Sequence, residues 1–201
     1  QDTETLVEKA LEILKEKEAP RILDMCTGSG CILLSLLAFR KDAFGVGADV
    51  SQPALQVAER NAVGLQVSDR AEFIESDLFS SPFFQENTGK DKVLYDILIS
   101  NPPYIRSADI EELMEEVRDH DPRLALDGHE DGLYFYRKIV SEGAEFLKKD
   151  GWMLFEIGYD QGEAVSKLMR DNGFSHVQVM KDLTGLDRVV LGRQSGKGNI
   201  L

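Results

Sequence analysis

Four short apolar runs in the first half of the chain each carry a polar residue at or near their end, and segments of helical spacing lie between them. Arg21–Met25, which contains Asp24, leads into Cys26-Thr27-Gly28-Ser29-Gly30. Ala43–Ala48 ends at Asp49, Ala71–Glu75 closes at Ser76-Asp77, and Tyr95–Ser100 runs into Asn101-Pro102-Pro103-Tyr104. Tyr95–Ser100 is apolar and β-branched enough to predict a buried strand, and the other three short runs read as strands beside it. Strands that alternate with helices need crossover connections, so they pair in parallel with helices on both faces. In a parallel sheet the four polar ends share one edge, where open α/β sheets bind ligands.

The remaining segments extend the pattern. Leu6, Val7, Ala10, Leu11, Ile13 and Leu14 predict a helix from Thr3 to Lys17, with Thr3 as its N-cap and Glu4 in the first turn. Cys31–Phe39 is apolar all round and predicts a buried helix, with Cys31 in the core. Ser51 or Gln52, followed by Pro53, opens a helix through Asn61. Residues 80–92 predict an irregular surface loop, Asp109–Val117 a short helix and Gly132–Lys149 a longer one. A strand at Gly151–Glu156, a helix at Gln161–Asp171 and strands at Phe174–Met180 and 187–193 follow. Lys181–Leu186 is too short for a crossover helix, so the last two strands are antiparallel. The expected fold is α/β, a mostly parallel seven-stranded sheet with a C-terminal antiparallel hairpin and helices on both faces. One domain is expected over 1–193. The Gly-rich tail 194–201 has no reason to order. A chain that begins at Gln1, almost inside a helix, is expected to be a fragment of a longer protein.

Charge and composition narrow the function. Lys and Arg number 23 against 36 Asp and Glu, a net charge of −13. That balance opposes loose binding to nucleic acid or an anionic membrane, while leaving room for a local basic groove. No apolar run is long enough to span a bilayer, and no signal peptide is expected. Cys26 and Cys31 are too few and too close for a disulfide framework, so a reducing, cytoplasmic setting is expected. His120, His129 and His176 lack the pairing of a metal site, and Glu111, Glu112, Glu115 and Glu116 suit a solvated face.

The motifs gain meaning together. Two consecutive prolines remove two N–H donors, fix two φ angles and push Asn101 into an extended conformation. The result is a stiff loop that presents an amide, a free carbonyl and an aromatic ring; alone it is a rigid turn. The glycine turn by itself is a weak signal, because Cys26 occupies the first glycine position and the full G-x-G-x-x-G is absent. Asp49 lies about twenty residues beyond it, the spacing at which an acid meets ribose hydroxyls. Singly, Asp49 suits a helix cap and Asp77 a turn. At successive strand ends they describe an adenosine-type site.

With these residues in place the chain resembles class I S-adenosylmethionine-dependent methyltransferases, which are Rossmann-like. More narrowly it resembles the glutamine methyltransferases of peptide-chain release factors. Asp2-Thr3-Glu4, Leu124-Ala125-Leu126, Glu130-Asp131-Gly132-Leu133, Glu156-Ile157-Gly158, Gln161-Gly162 and Asp187-Arg188-Val189-Val190 match in order, so the likeness spans essentially the whole chain. Three positions depart: Cys26 replaces the commoner glycine, tolerable at negative φ, His129 stands where glycine is frequent, and Asp121 where glutamate is. The family's upstream helical substrate-binding domain is expected to be absent from this sequence.

From the unpaired histidines, no metal is expected; the resemblance implies S-adenosylmethionine as cofactor and S-adenosylhomocysteine as product. It implies that Cys26, Thr27, Gly28, Ser29 and Gly30 lie against the methionine part of the cofactor. Asp49 takes the ribose hydroxyls, Asp77 and Leu78 flank the adenine, and Asn101, Pro102, Pro103 and Tyr104 grip the target amide, with Asn101 also beside the cofactor. The implied partner is a release factor, not a membrane or nucleic acid. The nearest rival is an adenine amino-group methyltransferase acting on DNA or RNA, which uses the same tetrapeptide. It needs a basic face for phosphates, which the net charge opposes. A dehydrogenase would need the third glycine and a hydride-handling residue. An inactive binding module is at odds with the intact tetrapeptide.

Overall fold

The computed structural model describes residues 2–87, 89, 92–112 and 123–195. Helix α1 (Asp2–Leu14) buries Leu6, Ala10 and Leu14, one residue per turn along a single face. It starts one residue before the predicted cap, so Thr3 is not the N-cap. Its hydroxyl donates instead to the buried Glu156 carboxylate at 2.9 Å. The helix also stops three residues short of Lys17.

Strands β1 (Arg21–Met25), β2 (Phe44–Asp49), β3 (Ala71–Glu75), β4 (Tyr95–Ser100), β5 (Leu147–Glu156), β6 (Phe174–Lys181) and β7 (Asp187–Gln194) form one sheet in the order β3-β2-β1-β4-β5-β7-β6. The first five pair in parallel, while β7 runs antiparallel to both β5 and β6, as expected. Met25 stands opposite both Ala48 and Ser100, Asp49 opposite Glu75 and Ser100 opposite Phe155. The C-terminal ends of the parallel strands are therefore level. The strand order reverses between β1 and β4, which makes the gap above this pair the topological switch point of the sheet.

Alternate strand residues serve opposite faces. Leu23, Met25, Leu98, Met153 and Phe155 face the core that holds Tyr136, Ile139, Val165 and Met169. Ile22, Ile97, Ile99 and Leu154 face α1 and α2 (Cys31–Phe39). Helix α2 buries Ile32, Leu33, Leu34, Leu36 and Leu37, but its ends break the predicted all-round burial. Phe39 is 72% exposed and Cys31 is exposed rather than in the core, because the helix N-terminus opens onto the ligand edge of the sheet. Ser51 caps α3 (Gln52–Gly64) by accepting from the Ala54 N–H, with Pro53 in the first turn, and the helix runs three residues past Asn61.

The predicted loop 80–92 contains one helical turn, α4 (Pro82–Gln85). Phe84 is driven inward there against Phe79 and Phe146, with ring centroids 5.4 Å away in each case. After α5 (Arg123–Leu126), helix α6 (Tyr134–Gly143) passes through a 3-10 turn at Ala144–Phe146. Residues 147–149, predicted as helix, are strand. Leu147 pairs with Tyr95, and Lys148 reaches the Asp96 carboxylate at 2.7 Å, so sheet pairing overrides the helical spacing. Helix α7 (Gly162–Asp171) follows β5. Within the predicted helix Asp109–Val117 the described part is a 3-10 turn at Ile110–Glu112. Residues 113–117, with His120 and Asp121, lie outside the described residues, as do 196–201; Gln194 belongs to β7. Among the described residues no helix is long and apolar enough to cross a membrane.

Candidate active site

The glycine turn leaves β1 through three left-handed residues, Cys26 (φ 60°), Gly28 (φ 56°) and Gly30 (φ 80°). Cys26 was expected to be tolerable at negative φ, and its φ is positive. The Thr27 N–H must reach back to Ala48 O on β2 at 3.0 Å, which bends the strand end into a conformation that costs a side-chain-bearing residue about 1 kcal/mol. A Cβ on Gly30 would come within 3.0 Å of Leu34 Cδ1 and 3.1 Å of Ala58 Cβ, so glycine there lets α2 start close to the turn and to α3.

Beneath the turn, Asp24 is fully buried. Its Oδ2 accepts from Thr27 Oγ1 at 2.6 Å and from the Leu33 N–H at 3.3 Å, while its Oδ1 has no partner among the described residues. Burial pushes its carboxyl up to about 7, opposed by the Thr27 and Leu33 bonds and reinforced by the Asp49 charge. Asp49 accepts from the Gly28 N–H through Oδ2 and from the Ser51 N–H through Oδ1, both at 2.8 Å. Its backbone carbonyl accepts from Ser76 N at 2.9 Å, which ties the ends of β2 and β3. Asp77 is exposed at that end, and Leu78 is buried behind it with φ 50°. Burial pushes the Cys26 thiol well up, and the charges of Asp49, Asp24 and Asp77 push it further. Asp24 and Asp49 thus hold the turn by hydrogen bonds, and Asp77 stands at the neighbouring strand end.

Beside it, Ser100 Oγ donates to Met25 O at 2.5 Å and locks the end of β4 to the end of β1. The half-buried Asn101 side chain and the Pro102 carbonyl make no hydrogen bond to the described residues. Tyr104 packs against the core, and its carbonyl accepts from Gln161 Nε2 at 3.0 Å. The same buried amide donates to Gly132 O at 3.2 Å and accepts from the Gly158 N–H at 3.0 Å. The buried Tyr136 hydroxyl donates to Glu156 O at 2.9 Å, with Gln161 Oε1 at 3.4 Å.

Past Tyr104 the chain pairs with the segment after α5. The Ile105 N–H donates to Leu126 O, the Gly128 N–H to Ile105 O and the Ser107 N–H to His129 O, at 2.7–3.0 Å. Gly132 has φ 71°, and any Cβ there would strike Tyr104 O. His129 also has a positive φ, 68°, which accounts for glycine being frequent at that position in the family it resembles. It is exposed, as is His176.

The structure therefore brings Cys26, Thr27, Gly28, Ser29, Gly30, Asp49, Asp77, Leu78, Asn101, Pro102, Pro103 and Tyr104 to one edge of the sheet. Asp24 belongs with them by its unpartnered oxygen. Gln161 entered the sequence reading only as part of the family likeness, with no site role, and Tyr136 did not enter it. Gln161-Gly162 after a strand was visible, but the buttress exists only once β5 lies beside β4. Among the described residues no group of three His, Cys, Asp or Glu is placed to hold a metal ion. A cavity of about 300 Å³ lined by Arg21, Phe44, Glu72 and Tyr95 lies at the opposite edge, where the strands begin, and touches none of the candidate residues.

The methyltransferase small domain family matches residues 3–129 of the chain. A release factor glutamine methyltransferase from Clostridium acetobutylicum is 40% identical over 97% of this chain and 66% of its own length. One from Caulobacter vibrioides is 44% identical over 95% of this chain and 63% of its own length. The chain thus spans less than two thirds of the length of these relatives. Among solved structures, the hMettl16 catalytic domain in complex with a MAT2A 3′UTR hairpin superposes with a TM-score of 0.71 at 15% identity, covering 98% of this chain and 70% of that one. At that identity the likeness is one of fold.

Proposed function

We propose that this chain, which belongs to the methyltransferase small domain family, methylates the side-chain amide nitrogen of a glutamine in a protein loop, the Gly-Gly-Gln loop of peptide-chain release factors. The observation that carries this reading is a pair of acceptors unused among the described residues, Asn101 Oδ1 and Pro102 O, held on a doubly proline-fixed loop beside the glycine turn. Its likeness to relatives named as release factor glutamine methyltransferases supports the choice of substrate.

The residues present fit S-adenosylmethionine. The unpartnered, buried Asp24 Oδ1 suits an ammonium group, and the turn Cys26–Gly30 suits close approach of the methionine part. Asp49 would take the ribose hydroxyls, and Asp77 with Leu78 the adenine. When bound, the cofactor supplies an electrophilic methyl group and leaves as S-adenosylhomocysteine.

An amide nitrogen is a poor nucleophile because its lone pair is delocalised into the carbonyl. Asn101 Oδ1 and Pro102 O would each accept one of its two N–H hydrogens, which aims the nitrogen. They also place partial negative charge where positive charge develops. The prolines hold these acceptors in place before substrate arrives. Tyr104 supplies a flat wall and a π-face tolerant of positive charge. The nitrogen, once methylated and cationic, sheds its proton to water, so the loop needs neither histidine nor carboxylate.

The test offers methyl-labelled S-adenosylmethionine with a release-factor domain and, separately, with duplex and hairpin oligonucleotides. Label is expected in the protein and should vanish when the loop glutamine is replaced. Label in an oligonucleotide but not in the protein overturns the substrate. The edge carries Asp49, Asp77, Glu130, Asp131 and Asp160, with Arg106 paired to Asp160 at 2.9 Å, a poor surface for phosphates.

A further inference from the structure

Gln161 lies on the far side of the tetrapeptide from the cofactor turn, 5% exposed, as the residue before α7. A primary amide has two N–H donors and one oxygen with two lone pairs. Here both donors go to carbonyls of other segments, Tyr104 O at 3.0 Å and Gly132 O at 3.2 Å. The oxygen takes the Gly158 N–H at 3.0 Å and lies 3.4 Å from the Tyr136 hydroxyl. One side chain therefore joins the tetrapeptide loop, the 128–132 turn, the end of β5 and α6. Tyr104 is the last residue of the tetrapeptide, three positions from Asn101, and its carbonyl is the point held.

We infer that Gln161 is a positioning residue for methyl transfer, setting where the Asn101 and Pro102 acceptors sit by anchoring the Tyr104 carbonyl. The inference rests on the function proposed above. The cofactor side of the site is independent of it, since none of the hydrogen bonds of Cys26–Gly30, Asp24 or Asp49 involves Gln161. Loss of the anchor should therefore lower kcat and spare cofactor binding. A displacement of about 1 Å at a reacting group costs roughly 10²-fold in rate.

Two variants separate positioning from folding. Gln161→Met keeps length and burial but removes the donors. Gln161→Glu keeps the acceptor for Gly158 N–H and turns the donor end into an oxygen facing two carbonyls. Only when protonated can that carboxyl donate, to one of them. Kinetics on the release-factor domain should show kcat down roughly 10²-fold in Gln161→Met, with the calorimetric Kd for S-adenosylmethionine within about twofold of the parent. Gln161→Glu should recover activity relative to the parent as pH falls, while Gln161→Met gives a flat ratio. A purely structural residue would move neither the kcat of the folded fraction nor that pH ratio. Hydrogen exchange read on the same variants should rise in 101–107 and 128–132 and stay unchanged in 24–34.

Full kcat in folded Gln161→Met, or exchange unchanged in 101–107, overturns the inference. Faster exchange there in a chain whose parent form leaves the release-factor domain unlabelled defeats the proposed substrate and upholds the anchoring of Tyr104.

Discussion

Asp24→Asn tests the cost of keeping an acid beneath the cofactor turn. In the unfolded chain the carboxyl titrates at 3.8, and in the folded protein burial pushes it up to about 7. Between these values the folded state holds a proton that the unfolded state has lost. Stability must therefore fall as pH rises through this window and level off above it. The slope is about 1.4 kcal/mol per pH unit well below the folded value and halves at it, so from about pH 5 to about pH 8 the parent loses roughly 3 kcal/mol to this one residue. Asparagine has no proton to lose. It does misplace one N–H pair near Thr27 Oγ1 and the Leu33 N–H, a cost of about 1–3 kcal/mol that does not vary with pH. Urea unfolding of both proteins, free of cofactor and at steps between about pH 5 and pH 8, isolates the titration in the difference between the two curves. The Asp24→Asn variant should gain on the parent by about 3 kcal/mol between about pH 5 and pH 8, the curve flattening above about pH 7. It should also bind S-adenosylmethionine about tenfold or more weakly, because the negative charge facing its cationic end is gone and only a neutral amide oxygen remains. Parallel pH profiles, constant to within about 1 kcal/mol, would refute the reasoning.

Asn101→Ala should abolish turnover, with S-adenosylmethionine affinity changed by less than about threefold; near-parental turnover would show that the amide is not the clamp. Gly132→Ala places a side chain at φ 71° and against Tyr104 O, so it should cost about 2 kcal/mol or more in chemical denaturation and lower kcat as well. An unchanged midpoint would mean that the 128–132 turn yields easily. Iodoacetamide applied to the native protein near pH 8 should label Cys31, which is exposed, and leave Cys26, whose thiol is held protonated by burial and three nearby carboxylates. Mass spectrometry that finds Cys26 modified first would contradict this placement.

Much of the fold was legible because the chain punctuates itself. Apolar runs closed by Asp49, by Ser76-Asp77 and by Asn101-Pro102 state both where strands stop and which edge gathers polar groups. The short connection Lys181–Leu186 settled the antiparallel end, since six residues cannot cross a sheet as a helix. Local chemistry also set the cap at Ser51 and the stiffness of residues 101–104, because proline restricts φ whatever its neighbours do. What failed were readings that needed a partner from elsewhere in the chain. Thr3 looks like a cap until Glu156, 153 residues away, takes its hydroxyl. Residues 147–149 have helical spacing until Tyr95 offers a strand to pair with. Cys31 reads as a core residue until the sheet edge leaves the start of α2 in the open, and Cys26 is free to choose its φ until Ala48 O claims the next N–H.

The same division runs through the site. The sequence alone determined which residues line the edge, because a parallel sheet must bring the C-terminal ends of its strands together. Only the tertiary structure decided that Asp24 keeps an unpartnered oxygen under the turn and that Gln161 grips Tyr104 from behind. Both depend on burial and on distances between segments far apart in the chain, which no local pattern of side chains encodes.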